Sequence, residues 1–147
     1  MKKWIAWMVA CLLLFGCAAA EQAVALPGSQ RLLTLPDAMQ AMPLKPGDDA
    51  LMAYLSSTLE MDVFSFVNET GKSIQNVAEW IISEGNPAEV RRIAGIEMVV
   101  FRKTDEVSGG NCIGYNFLDG NQVLQVVFWY ASPEAAVQAE SIMSTIR

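Results

Sequence analysis

Acid–base chemistry is the first possibility that the residue types allow. Asp62, Glu97 and Asp119 lie on or beside predicted strands, and a pair of such carboxylates could serve as acid and base in a glycosidase-like site. The chain contains no histidine, which excludes Ser-His and Cys-His triads, histidine bases and the commonest zinc sites. Asp119 before Gly120 is typical of a hairpin turn, and Glu97 of a solvent-facing strand position. We therefore expect no catalytic site and no enzyme activity.

Sulfur chemistry is the second possibility. Cys112 lies inside a predicted strand beside Ile113, without a neighbouring cation or base to stabilise a thiolate, so we expect a buried structural cysteine. Met39 and Met42 could bind a soft metal through their thioethers, but two methionines without cysteine or histidine make a poor site. They are better interpreted as core residues. The sequence predicts no metal and no cofactor.

Aromatic residues could line a groove for an apolar ligand or a peptide. Phe128, Trp129 and Tyr130 are consecutive in a predicted strand. Because side chains alternate across a strand, one of the three must point away from its neighbours, toward a covering helix or toward solvent. An exposed aromatic side chain would mark an interaction surface. We therefore predict an interaction surface at Phe128, Trp129 and Tyr130.

The first residues determine the compartment. Lys2 and Lys3 precede an apolar run over residues 4–15, and small residues follow at 16–20. This order is typical of a signal peptide. A membrane-spanning helix needs about 20 apolar residues, and the run is too short. The sequence predicts export and removal of this segment.

The segment ends in Leu14, Phe15, Gly16 and Cys17, which resembles the lipobox of bacterial lipoproteins, with Phe15 larger than the usual residue. The resemblance implies that the Cys17 thiol accepts diacylglycerol and that its freed amine accepts a further acyl chain such as palmitate. Several acyl chains together anchor a protein stably. The alternative is ordinary cleavage after Ala20, which would leave a soluble secreted protein.

The mature chain is acidic. The full sequence has a net charge of -6, which becomes -8 once Lys2 and Lys3 leave with the signal peptide. This charge argues against nucleic-acid binding and against adhesion to anionic lipid. The fatty acyl chains on Cys17 would therefore provide the membrane anchor. Cys11 leaves with the signal peptide and Cys17 carries lipid, so Cys112 has no partner for an intrachain disulfide.

Composition and length predict three segments: a signal peptide over residues 1–16, the lipidated cysteine and a flexible tether over residues 17–31, and a single domain over residues 32–147. The tether prediction rests on small and polar residues, with Pro27 and Gly28 and no sustained periodicity. The domain is long enough for one hydrophobic core.

The first half of the domain predicts a short strand at residues 33–35 and a helix over residues 50–58. Asp48 and Asp49 would cap this helix. A strand at residues 61–67, apolar on both faces and therefore central, follows. A second helix is predicted over residues 74–84, with its cap at Ser73 and Gly85 after its end.

The last third predicts strands at residues 96–103, 111–118 and 122–130, joined by turn residues into a meander. Ser132 and Pro133 open a closing helix. Its inward stripe consists of Ala135, Ala139, Ile142, Met143 and Ile146. The fold class is thus α+β, an antiparallel sheet with a C-terminal three-stranded meander covered by helices.

This order resembles the fold of the Mog1 and PsbP families and of some small bacterial lipoproteins. The resemblance rests on residues 33–36, the 61–67 strand before a helix, the 122–130 strand, and the helix opened by Ser132, Pro133 and Glu134. It implies a non-catalytic accessory or binding role and carries over no functional residue.

These observations predict a membrane-anchored extracytoplasmic lipoprotein whose non-catalytic domain binds a protein or another envelope component. In a cell with two membranes, Ala18 after Cys17 favours the outer membrane; otherwise the anchor lies in the outer face of the cell membrane. One alternative is a carrier or sensor of a small apolar ligand, held between the sheet and its helices. The other is a carboxylate-based hydrolase.

Overall fold

The computed structural model describes residues 20–106 and 109–147. The predicted signal peptide and Cys17 lie outside the described residues. Within the described ranges, every helix is too short or too polar to cross a membrane.

Nine strands and two helices make up the described chain. The strands are β1 Glu21–Ala25, β2 Leu32–Pro36, β3 Gln40–Ala41, β4 Met52–Leu55, β5 Leu59–Val67, β6 Ala88–Ile93, β7 Ile96–Thr104, β8 Asn111–Asp119 and β9 Gln122–Tyr130. The helices are α1 Ile74–Ser83 and α2 Pro133–Met143.

Seven strands form one antiparallel sheet in the order β3-β4-β5-β9-β8-β7-β6. The predicted meander is β7, β8 and β9, and the predicted central strand is β5, which pairs with β4 and β9. α1 and α2 pack on opposite faces of the sheet. The predicted fold class is confirmed.

A hairpin of β1 and β2 forms a separate two-stranded sheet. The prediction of a flexible tether over residues 17–31 is therefore wrong from Glu21 onward, and the fold begins before Leu32. The physical reason is alternation: Val24 and Leu26 are buried while Ala23 and Ala25 are exposed, which is a strand pattern too short to stand out in sequence. Val24 lies opposite Leu33 in the hairpin.

The predicted helix over residues 50–58 is wrong, because this segment forms β4 and a turn. Asp48 caps no helix: its carboxylate accepts a hydrogen bond from the Lys45 backbone N–H at 2.7 Å within a turn. Leu51 and Leu55 have helical spacing, but both are exposed. β4 instead pairs with β5 on one side and with β3 on the other, and these two ladders take up its backbone hydrogen bonds.

The two remaining helices begin as predicted. The Ser73 hydroxyl accepts a hydrogen bond from the Asn76 backbone N–H at 3.3 Å. The Asn76 side-chain oxygen in turn accepts one from the Ser73 backbone N–H. Ser132 accepts from the Ala135 N–H in the same way, with Pro133 in the first turn. These caps satisfy backbone donors that a helix start leaves unpaired. Every residue of the predicted α2 stripe is buried.

α2 and the β1–β2 hairpin together cover one face of the sheet, which we call the closed face. Its core contains Leu33, Leu35, Met61, Tyr115 and Phe128, each fully buried. The chain end fastens this layer, because Leu32 and Arg147 exchange two backbone hydrogen bonds. α1 packs on the other face.

Candidate functional site

α1 covers only part of its face of the sheet. It packs mainly over β6, β7 and β8. The neighbouring strands β5 and β9 keep side chains on this face that are only partly buried, and we call this set the open face. It consists of Glu60, Asp62, Phe64, Gln125 and Trp129.

The three consecutive aromatic residues of β9 divide between the two faces. Phe128 is fully buried in the closed-face core, where its ring meets the Tyr115 ring edge-on at 6.1 Å between centroids. Tyr130 is partly buried on the same side. Trp129 points the other way and lies on the open face, directly opposite Glu60. Of the predicted surface Phe128, Trp129 and Tyr130, only Trp129 belongs to the open face; an interaction there stays a prediction.

One end of the open face is acidic. Glu60, Asp62, Asp48 and Asp49 line a cavity of about 450 Å³ together with the loop over residues 42–50. Burial raises the pKa of Asp62 above its ordinary 3.8, and the nearby Glu60 charge raises it further. A hydrogen bond from the Trp129 side chain partly opposes both effects. Lys45 also lines the cavity, but the four acidic residues outnumber it, so this end of the face favours a positively charged group.

The three carboxylates singled out from the sequence lie apart. Glu97 forms an ion pair with Arg92 at 3.8 Å on β6. Asp119 accepts a hydrogen bond from the Ser29 hydroxyl at the turn of the β1–β2 hairpin. Asp62 lies instead beside Glu60, which sequence reasoning missed. The available signal was their spacing, since residues i and i+2 of a strand share a face about 7 Å apart.

A cleft of about 340 Å³ opens at the opposite end of this face, between α1, the end of β5 and the start of β9. Its apolar wall includes Phe66, Val77, Trp80 and Val123. The Phe66 and Trp80 side chains are 50% and 52% exposed. Large aromatic side chains that face both a cleft and solvent are typical of binding surfaces.

Asn116 forms part of the inner wall of this cleft. It is 2% exposed, and it is the only buried polar or charged residue in the described chain. Among the described residues, none accepts a hydrogen bond from its Nδ2. The Tyr115 hydroxyl, likewise buried and unpartnered there, belongs to the closed face, and burial raises its pKa.

Cys112 and Met39 occupy the buried positions expected of structural residues, whereas the prediction of a core position is wrong for Met42. Cys112 is buried beneath α1, and burial raises the pKa of its thiol, which disfavours the reactive thiolate. Met39 is fully buried in the closed-face core, whereas Met42 lines the acidic cavity. Within residues 20–106 and 109–147, no cluster of three acidic or cysteine side chains could hold a metal ion.

No family model matches the chain, and no curated protein matches it in sequence. Solved structures do match it, and two of them cover most of this chain. One is the solution structure of a cyanobacterial PsbP from Synechocystis, with a TM-score of 0.67, 10% identity, and coverage of 90% of this chain and 95% of that one. The other is a crystal structure from Bacteroides thetaiotaomicron, with a TM-score of 0.62, 14% identity and coverage of 86% of this chain. This chain spans 47% of the Bacteroides protein. The resemblance to the PsbP family is confirmed at the level of structure: the chain has a PsbP-like fold.

Proposed function

We propose that this chain is an exported lipoprotein, anchored to a membrane through Cys17, whose domain binds an envelope protein without catalysing a reaction. The observation that carries the binding role is the open face, where aromatic side chains and carboxylates stay in contact with solvent beside a closed and fully packed opposite face. An interaction partner would cover these side chains.

The start of β1 limits how far the domain could stand from the membrane. Only residues 18–20 separate Cys17 from Glu21, where the fold begins. An extended chain spans at most roughly 3.5 Å per residue, so the connection reaches about 14 Å. β1 lies in the hairpin layer on the closed face, so the sheet stands between the anchored strand and the open face. This arrangement keeps the open face accessible to a partner.

The open face also defines the chemistry of the partner. Glu60 and Asp62 supply negative charge at one end, and Phe64 and Trp129 supply apolar surface beside them. Complementary charge speeds association and selects the register, while buried aromatic groups supply most of the affinity. The expected partner therefore presents Lys or Arg next to an apolar patch.

The anchor is tested by metabolic labelling with palmitate. The native chain should be labelled and should sediment with membranes, and Cys17→Ala should lose both properties. Ala20→Glu, which removes the alternative cleavage signal but not the lipobox, serves as the matched control and should stay labelled. A soluble, unlabelled native product that begins at Glu21 would contradict the anchor.

The binding surface is tested by photo-crosslinking in cells. Benzoylphenylalanine at Phe64 keeps an aromatic ring on the open face, and the same group at Val137 lies on the outer side of α2 as the control. We expect a discrete adduct from Phe64 only, which weakens with Asp62→Asn and with added salt. Identical adducts from both positions, or none from Phe64, would count against the open face.

A second candidate function is the binding of a small ligand between the sheet and α1. The specific observation in its favour is the cleft with its half-exposed aromatic walls and the unpartnered amide of Asn116. Both candidates are binding roles, and one protein could combine them.

A further inference from the structure

We propose that the cleft beside α1 binds a small, uncharged molecule with an apolar body and one carbonyl oxygen, which accepts a hydrogen bond from Asn116. This inference rests on the binding function proposed above and names the ligand class of its second candidate.

Burial of the Asn116 side-chain amide costs free energy. A buried amide N–H without an acceptor loses its bonds to water and gains nothing in return, so buried polar groups in native proteins are nearly always paired. Asn116 lies in β8 with its side chain on the α1 face, opposite Val99 of β7 and Gln125 of β9, and no described residue accepts a hydrogen bond from its Nδ2. A carbonyl oxygen in the cleft would satisfy its Nδ2.

The walls of the cleft determine the rest of the molecule. Phe66 on β5 and Trp80 on α1 each leave about half of their surface in solvent. Val77 and Val123 add apolar area between them. A flat or short aliphatic group in this position would remove all four from water, which is the usual source of affinity in small-molecule sites.

The charges around the cleft and its volume further limit the class of ligand that it can bind. Lys72 and Glu69 both line the cleft and are both exposed, so the two opposite charges lie at its rim. No charged residue of the described chain is buried beside Asn116. A carboxylate at that depth would lose its hydration without a compensating cation. The volume of about 340 Å³ lies at the lower end of small-molecule sites. An uncharged carbonyl compound of small size fits these limits.

The test uses the full chain in detergent micelles and acetanilide, an uncharged probe with one aromatic ring and one carbonyl. Saturation-transfer NMR measures its affinity, and protein-free micelles give the background. We expect saturable binding to the native chain. Asn116→Leu, similar in shape but without the donor, should bind about tenfold more weakly, the effect of one lost hydrogen bond.

Two variants of α1 form a matched pair. Trp80→Ala removes a cleft wall and should weaken binding at least as much as Asn116→Leu. Ile82→Ala removes a side chain of similar exposure, 54%, that does not line the cleft, and should leave affinity unchanged. Thermal unfolding of each variant verifies that it is folded.

Three outcomes would overturn the proposal. One is the absence of saturable acetanilide binding. Another is equal affinity in the native chain and Asn116→Leu, which would mean a merely apolar crevice. The third is tighter binding of phenylacetate, an anion of the same size, that depends on Lys72. Failure of the proposed function would be seen differently, as the absence of palmitate on Cys17 and of an adduct from Phe64. Asn116→Leu should alter neither the palmitate labelling nor the adduct.

Discussion

The closed face and the α1 face of the same sheet differ in how completely they are covered. On the closed face, α2 and the β1–β2 hairpin bury an apolar core that reaches from β7 to β5. On the other face, α1 covers three strands and leaves β5 and β9 partly exposed. The two faces share every strand, so the difference comes from what packs on them.

The difference separates stability from binding. Fully buried apolar side chains on the closed face contribute free energy of folding and little else. The closed face carries one feature that costs stability, the unpartnered hydroxyl of Tyr115. The α1 face has several: half-exposed aromatics, an unpartnered buried amide at Asn116 and a carboxyl group at Asp62 whose pKa is raised. Proteins commonly accept such costs where a surface must bind something.

The sharpest comparison is between two adjacent residues of β9. Phe128→Ala empties a fully buried position on the closed face and should lower the free energy of unfolding by about 3–5 kcal/mol. Trp129→Ala removes a larger side chain from the open face, yet should cost only about 1–2 kcal/mol, because part of the indole is already in water. Urea denaturation measures both.

Crosslinking completes this comparison. Trp129→Ala should reduce the adduct formed from position 64, whereas Phe128→Leu, which keeps most of the buried volume, should leave it unchanged. Equal losses of unfolding free energy in Phe128→Ala and Trp129→Ala would show that the open face is packed like a core. The two faces would then not differ as described.

A second prediction concerns the part of the α1 face that is covered. Gly114 lies on β8 beneath the Phe101 ring, and an added Cβ would fall 2.1 Å from ring atom Cε1. Gly114→Ala should therefore displace Phe101 and destabilise the protein by about 1–3 kcal/mol, the cost of overpacking. Phe101→Leu should recover part of the loss in the double variant, measured as a double-mutant cycle. If the stability changes of Gly114→Ala and Phe101→Leu simply add in the double variant, the two residues are not in direct contact.

Much of the fold was predictable where local signals agree with tertiary packing. The meander has long alternating strands between glycine-rich turns, and α1 and α2 carry capping residues directly before an apolar stripe. β4 was misread because Leu51, Met52 and Leu55 match a helical period, while pairing with β5 decides the structure. β6 was not predicted at all: it is mostly exposed, and its pairing with β7 depends on a turn in which Ala94 and Gly95 both have positive φ.

The candidate site was less predictable than the fold. Alternation within β9 indicated that one aromatic residue must face away from its neighbours, and Trp129 does. No local pattern places Trp80 of α1 near Phe66 of β5, because the two meet only when the helix packs across the sheet. Asn116 had a weak signal as the one amide within an apolar stretch of β8, but its missing partner is a property of the packed structure.

The third prediction follows from this missing partner. Asn116→Leu removes an unsatisfied buried amide and should raise the free energy of unfolding by about 1 kcal/mol in the absence of ligand. The same variant should bind acetanilide more weakly, so stability and binding would move in opposite directions. Cys112→Ala, at a buried position of the same strand and face without an unpaired amide, should be destabilised instead. A loss of stability in Asn116→Leu would show that the amide is satisfied in the native protein.

The smallest expected effect concerns Asp62. Its pKa is raised in the folded protein above the ordinary 3.8, so ionised Asp62 destabilises the fold. The penalty is absent at low pH, where the carboxyl is protonated in both states, and it develops as pH rises from 3.8 through the folded pKa. Asp62→Asn should therefore be more stable than the native chain at pH 7, by less than about 1 kcal/mol because water screens this half-buried group.

The stability gain of Asp62→Asn should shrink at pH 3, whereas Gln125→Ala, a change to an uncharged neighbour on the open face, should give a pH-independent difference. Urea denaturation at both pH values measures this, and a gain that grows toward acidic pH would mean that Asp62 is stabilised as an anion by the Trp129 hydrogen bond.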